Sequence, residues 1–236
     1  MKKVAIVQSN YIPWKGYFDM IASVDEFILY DDVQYTRRDW RNRNQLKTPQ
    51  GLKWITVPVR VKGKYQQAIR ESEIAGTKWM RKHWMAFCAN YCRTPFFTEV
   101  SQYIEPYYDC QGYRYLYELN HALIKAVCSY LGIKTRISCS WDYFLSGGQS
   151  EQLARLCAQA GGLEYISGPR AKSYLDEQAF LSRGIKVTWF SYDGYPEYPQ
   201  LWGEFTHFVT ILDLLFNCGK DSFKYMKYAP VRKPHG

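Results

Sequence analysis

The sequence predicts an α/β fold: a small, mostly parallel sheet of about four or five strands built from βαβ units, with an appended helical lobe. Two observations carry this. Short apolar, β-branched runs of strand length recur along the chain, at Val4–Val7, Phe27–Tyr30, Ile133–Ser140, Tyr165–Ser167 and Lys186–Phe190. Segments of helical period stand between them, and that alternation argues for parallel strands joined by crossover helices. At 236 residues and 47% hydrophobic content, the chain has material for one sizeable core. With no internal repeat, low-complexity tract or composition break, residues 1–236 are expected to form a single domain, the helical lobe lying at about 77–132.

Taken in order, Val4–Val7 leads through a turn containing Pro13 and Gly16 into a helix beginning near Gly16, and Phe27–Tyr30 follows as the second strand. Trp54–Val61 is β-branched, and Pro58 marks it as an edge or a bulge. From Thr77 to Ala89, Trp79, Met80, His83, Trp84, Phe87 and Cys88 recur at helical spacing. Pro95 interrupts, and Thr98–Tyr108 is a further helical piece. Tyr113–Leu131 carries Leu116, Leu119, Leu123, Val127 and Leu131 on one stripe, with Gly132 as its cap. Helices are also predicted over Ser150–Ala160, Asp176–Arg183 and Thr206–Cys218.

The net charge is +9, and its location says more than its size. Between Thr36 and Arg70 stand ten Lys or Arg residues and one acid, Asp39, so this stretch alone accounts for the whole excess. Such a field attracts phosphates, of a small molecule or of a nucleic acid. The seven cysteines form no CxxC pair, and the apolar run after Lys3 is broken by Gln8, Ser9 and Asn10 before it could make a signal segment. No stretch approaches a membrane span. A soluble cytoplasmic protein with reduced thiols is expected. His83, Cys88 and Cys92 lack a fourth ligand nearby, so no metal site is assigned.

The densest polar sequence runs from Gln8 to Asn44. The βα turn, with Gln8, Asn10, Tyr11, Trp14, Gly16 and Tyr17, has the shape of a phosphate-binding turn, because helix N-termini present unpaired N–H groups to anions. Asp31 and Asp32 end the second strand; adjacent strand residues point to opposite faces, so one of them can act as general base in a given pocket. Gln34 follows. In Trp40-Arg41-Asn42-Arg43-Asn44, forked cations suit phosphate, amides suit sugar hydroxyls or base edges, and the indole suits stacking. Arg41 and Arg43, two apart in an extended segment, are expected to converge on one anion. Ser167, Gly168 and Lys172 form a second small, cationic segment. No Ser-His-Asp or Cys-His arrangement is legible, and His83, His121 and His207 fall within helical patterns as packed or surface histidines.

The opening turn resembles that of the adenylate-forming nucleotidyltransferases, Gly16 matching the glycine between that family's two histidines. Trp14 and Tyr17 stand at the histidine positions, which removes the groups that family uses on the triphosphate. A wider resemblance is to the WbqC-like family, carried by QSNYIPWKGYFDMI, YDDVQYTRRDWRNRN, YISGPRAKSYLDEQAF, YPQLWGEF and TILDLLFNCG. Its members are associated with bacterial surface-polysaccharide (O-antigen) gene clusters, and a glycine-transferring role has been suggested for some. The resemblance implies a cytoplasmic transferase placing a glycyl or related aminoacyl group on a nucleotide-linked amino sugar. The activated donor would be glycyl-tRNA, or glycine with ATP. Two other classes stand beside this: an RNA-binding module, tRNA included, and a non-catalytic polysaccharide-assembly protein.

Overall fold

The computed structural model describes residues 1–110 and 112–230. Five strands form one parallel sheet: β1 (Lys3–Val7), β2 (Glu26–Leu29), β5 (Arg136–Cys139), β6 (Glu164–Ser167) and β7 (Lys186–Trp189), in the order β5-β2-β1-β6-β7. The expected α/β architecture is what the structure shows. Successive strand residues point to opposite faces, and here each face has its own core. Ala5, Phe27 and Leu29 join α1 (Lys15–Ala22) and α4 (Leu116–Leu131) on one side. Val4, Ile6 and Ile28 join α5 (Gln149–Gln159) and α6 (Gln178–Leu181) on the other.

Right-handed crossovers explain the division. The connections β1→β2 and β2→β5 move toward one edge of the sheet, so their helices cover one face. The connections β5→β6 and β6→β7 move the opposite way, so theirs cover the other. The chain reverses between the neighbours β1 and β6, and ligand sites in such sheets lie beyond the carboxyl ends of the strands.

Between β2 and β5 the chain adds the helices α2 (Lys78–Tyr91), α3 (Phe97–Ile104) and α4. The predicted α4 stripe is buried at all five positions, and Gly132 closes the helix with φ +72°. Two details differ from the sequence reading. An antiparallel hairpin, β3 (Arg43–Thr48) and β4 (Gly51–Thr56), stands outside the main sheet. It incorporates the last two residues of the polar 40–44 segment, Arg43 and Asn44, because Gln45 to Thr48 carry a strand-like pattern that the neighbouring cations mask. The last helix, α7 (Ile211–Cys218), starts late: the side chain of Thr210 accepts from the Leu212 N–H at 3.3 Å, while Gln200 bonds both the N–H and the carbonyl of Thr206 and so holds the preceding residues extended.

Candidate active site

The carboxyl edge of the sheet collects the polar groups. Beyond β1 lie Gln8, Ser9 and Asn10; beyond β2, Tyr30, Asp31 and Asp32; beyond β5, Ser140, Trp141 and Asp142. Asp31 is fully buried, accepting from the Ser9 backbone N–H at 2.8 Å through one oxygen and facing His121 Nε2 at 2.9 Å with the other. A carboxylate can only accept, so Nε2 carries a proton, and whenever the imidazole is neutral it is Nδ1 that holds the lone pair. That lone pair faces Cys139 Sγ at 3.8 Å.

The register brings these three together. Leu29 of β2 pairs with Cys139 of β5, so the thiol sits beside the strand end that delivers Asp31 two residues later. α4 packs across the same face and lowers His121 between them. The ring is fixed by stacking on Trp141 (5.8 Å, 14° between planes) and by the edge of Tyr117, one helical turn earlier (5.4 Å). The β5 end is pinned as well. The Cys139 N–H donates to Asp142 at 2.8 Å, and Ser140 Oγ donates to Asp32 at 2.5 Å. Burial first, and then the Asp142 carboxylate, push the Cys139 thiol up to about 11. The thiol is therefore protonated at neutral pH.

Asp31 and Asp32 lie in the turn after β2 rather than at the strand's end, and Asp32 has partners of its own: it accepts from Ser140 Oγ and pairs with Arg70 Nε at 3.0 Å. Arg70 lines an open depression of about 600 Å³ with Lys64, Glu73, Tyr115, Tyr117 and Trp141. Two of its aromatic walls, Tyr117 and Trp141, are the rings that hold His121.

The expected ligand residues are only partly brought to this place. Segments 8–17 and 31–44 are laced together: Arg41, its side chain 14% exposed, bonds Asn10 Oδ1, and Tyr11 N–H donates to Trp40 O at 3.0 Å. Asn44 Nδ2 holds the carbonyls of Tyr11 and Ile12, where Ile12 adopts a strained φ of +36°. Gln8 gives its carbonyl to Tyr17 Oη at 3.0 Å. Tyr11 is buried, its hydroxyl between His83 and Tyr108 (2.7 Å each). Asn42 is buried with its amide on Val57 O. Trp40 packs against Trp54, and the Arg43 guanidinium lies 4.1 Å over the same indole. Arg41 and Arg43 thus have different partners, and their expected convergence is not realised, because Arg41 precedes the strand.

Around Gly16, a Cβ would stand 2.4 Å from the Trp14 ring, which itself packs on Tyr192, Tyr195 and Phe208. The missing side chain makes room for an indole over the first turn of α1. Gln34 is exposed and donates to Tyr65 O. Ser167 is buried in β6 and Gly168 follows it. Lys172 lies 5.7 Å over Trp189 of β7, three strands from β2. The residues that sequence reasoning missed are His121 and Cys139. Neither stands in a motif, and only the pairing of β2 with β5 under α4 joins them to Asp31. Among the described residues no cluster of His, Cys, Asp and Glu is arranged to hold a metal ion, and no helix is long and apolar enough to cross a membrane.

Fold and site together define a class: an α/β protein with an open parallel sheet whose carboxylate, imidazole and thiol groups gather at the carboxyl edge. The sequence model of the WbqC-like protein family matches residues 8–225, and the chain belongs to that family. Uncharacterized protein Rv1507c of Mycobacterium tuberculosis is 58% identical over 228 residues, covering 97% of this chain and 99% of the relative. No solved structure gives a significant match.

Proposed function

We propose that this protein is a cytoplasmic transferase of bacterial surface-polysaccharide synthesis that moves a glycyl or other aminoacyl group onto the amine of a nucleotide-linked amino sugar. One observation carries the reading: a buried Asp31–His121 pair stands beside an aromatic, cationic depression. An amine attacks a carbonyl only when neutral, and must lose a proton as the amide forms. His121, with Nε2–H fixed on Asp31, presents the lone pair that takes it. Lys64 and Arg70, paired at rest with Glu73 and Asp32, are positioned to exchange those partners for phosphates. Tyr115, Tyr117 and Trp141 offer rings for a base or sugar.

The family's association with polysaccharide gene clusters supports the substrate class. The test mixes purified protein with nucleotide amino sugars and candidate donors, and looks for the mass of one added aminoacyl group. His121→Ala should lower the rate on the order of 10²–10⁴-fold, as loss of a general base does. Absence of product with every donor, glycyl-tRNA and glycine plus ATP included, would reject the reading.

A second reading rests on a wider surface that includes Lys64 and Arg70. Arg37, Arg38, Lys53, Arg60, Lys62, Lys64 and Arg70 are all exposed, with Trp54 (44%) and Tyr65 (77%) among them. That pattern suits a phosphate backbone with stacking bases, and it merges with the first reading if the donor is a charged tRNA. RNA binding here should weaken steeply with salt, whereas a two-phosphate ligand should show a shallow dependence.

A further inference from the structure

The proposed transfer leaves one nucleophile at the carboxyl edge without a role. Cys139 Sγ faces the free lone pair of His121, and Asp31 holds the far side of the ring. Nucleophile, base and orienting acid are therefore in series, the arrangement that activates thiols on unrelated folds. The other free cysteines do not share it. Cys128, Cys157 and Cys218 are buried among apolar side chains, Cys88 is half-buried on α2, and Cys92 and Cys110 are exposed.

We propose that Cys139 is a covalent acyl carrier: it takes the acyl group from an activated ester as a thioester, then passes it to the acceptor amine. The inference rests on the transfer reading above and adds a second chemical step to it. In the first step the Sγ–C bond forms at the donor carbonyl and the ester C–O bond breaks. The thiol proton passes through His121 Nδ1 to the leaving oxygen. In the second, the neutral amine attacks the thioester carbonyl, the C–N bond forms and the C–S bond breaks. The amine proton returns through His121 Nδ1 to sulfur, restoring the thiol.

The pinned environment fits the role. Because burial keeps the thiol protonated at rest, it depends on the adjacent base at the moment of attack. The 3.8 Å separation is of the kind that tightens when substrate binds. Asp142, Lys125, Asp31 and Asp32 are the charged groups around the sulfur, three acids to one cation, so the site is acidic on balance and does not stabilise a resting thiolate.

The test uses the intact protein and p-nitrophenyl acetate, an activated ester that carries neither an amino acid nor a nucleotide. Peptide mapping should find a hydroxylamine-sensitive acetyl group on Cys139, formed ~10-fold or more faster than on Cys92 or Cys110, although those are more exposed. His121→Ala should bring Cys139 down to their rate, and His121→Gln gives the same comparison if the alanine variant does not fold. Equal labelling of all three cysteines, or unchanged labelling of Cys139 without His121, would overturn the proposal. So would full aminoacyl transfer by a folded Cys139→Ala variant, an outcome that leaves the transfer reading standing. Acylation of Cys139 in a protein that transfers nothing to amino sugars would do the reverse.

Discussion

Asp31→Asn separates positioning from packing more sharply than any other single change. The side chain keeps its shape, but its two bonds are not equivalent. The Ser9 N–H can only donate, so it requires the remaining oxygen, and the new amide NH₂ must face His121 Nε2. An N–H set against an N–H repels, and the neutral imidazole relieves this by moving its proton to Nδ1. The ring then donates toward Cys139 instead of accepting from it. Charge-assisted bonds of this kind are each worth about 1.5–3 kcal/mol and neutral ones about 0.5–1.5, so with both kept only in neutral form unfolding in urea should show a loss of about 2 kcal/mol. Function should suffer far more, with Cys139 acylation and aminoacyl transfer falling on the order of 10²–10⁴-fold, since the base is in the wrong tautomer. NMR of ¹⁵N-labelled histidine reads the tautomer directly, as the protonated nitrogen changes from Nε2 to Nδ1. A variant that keeps Nε2–H and labels at the wild-type rate would refute the reasoning.

Three further outcomes follow from other parts of the structure. Gly16→Ala should destabilise by about 1–3 kcal/mol, since its Cβ meets the Trp14 ring at 2.4 Å; an unchanged Tm together with lost ligand binding would instead make Gly16 a ligand contact. Lys15 is buried beneath Tyr195 and Tyr198, and burial lowers its pKa to about 8. The unfolded chain thus holds this proton more tightly, and folding gains stability as pH rises from about 8 toward 10.5. Wild type should gain about 2–3 kcal/mol on Lys15→Met between pH 7 and 10, and a pH-independent difference would exclude that linkage. At the amino edge, burial alone would raise the Glu26 pKa, but hydrogen bonds from Lys2, Ser138 and Tyr143 outweigh it and lower it. Its stabilisation is present above the usual carboxylate range and is lost as pH falls through the lowered folded value. Glu26→Gln should cost about 3–5 kcal/mol at pH 7, with the gap narrowing in acid.

Much of the fold was legible because its determinants are local. The apolar runs at Val4–Val7 and Phe27–Tyr30, the α4 stripe and the Gly132 stop each act within a few residues, and each is found where the pattern puts it. Asp31 and Asp32 were visible as a pair, but both stand in the turn beyond β2, so their separate partners come from that turn and not from strand alternation. What was not legible depends on distant partners. Arg43 reads as a phosphate ligand until Trp54 is seen beneath it, and Gly16 reads as a phosphate glycine until the Trp14 ring is seen above it. His121 reads, like His83 and His207, as a packed or surface histidine within a helical pattern. His83 is indeed packed: burial lowers its pKa to about 4, and its Nδ1 lies 2.7 Å from Tyr11 Oη. Nothing near His83 or His121 in sequence distinguishes them.

The two ends of the sheet show why the carboxyl edge is the place to look for chemistry. At the amino end, Glu26 is buried and saturated, with Lys2, Ser138 and Tyr143 donating to it and Arg136 at 3.6 Å. Every group there has a partner, and the network holds β1, β2 and β5 in register. Ser138 and Cys139 are adjacent on β5 and so face opposite sides of the sheet: the serine completes that saturated network, while the cysteine meets His121. At the carboxyl end the chain has spent equal effort on rigidity, stacking His121 on Trp141, tying Asp31 to Ser9 and capping β5 with Asp142. Yet the element so carefully held is a thiol whose one side-chain partner among the described residues is a base at 3.8 Å. Stability alone would be served as well by an apolar residue at that position. A rigid frame around a weakly engaged, partly exposed nucleophile is the arrangement a covalent step requires, and the Asp31→Asn tautomer is where that logic is most exposed to disproof.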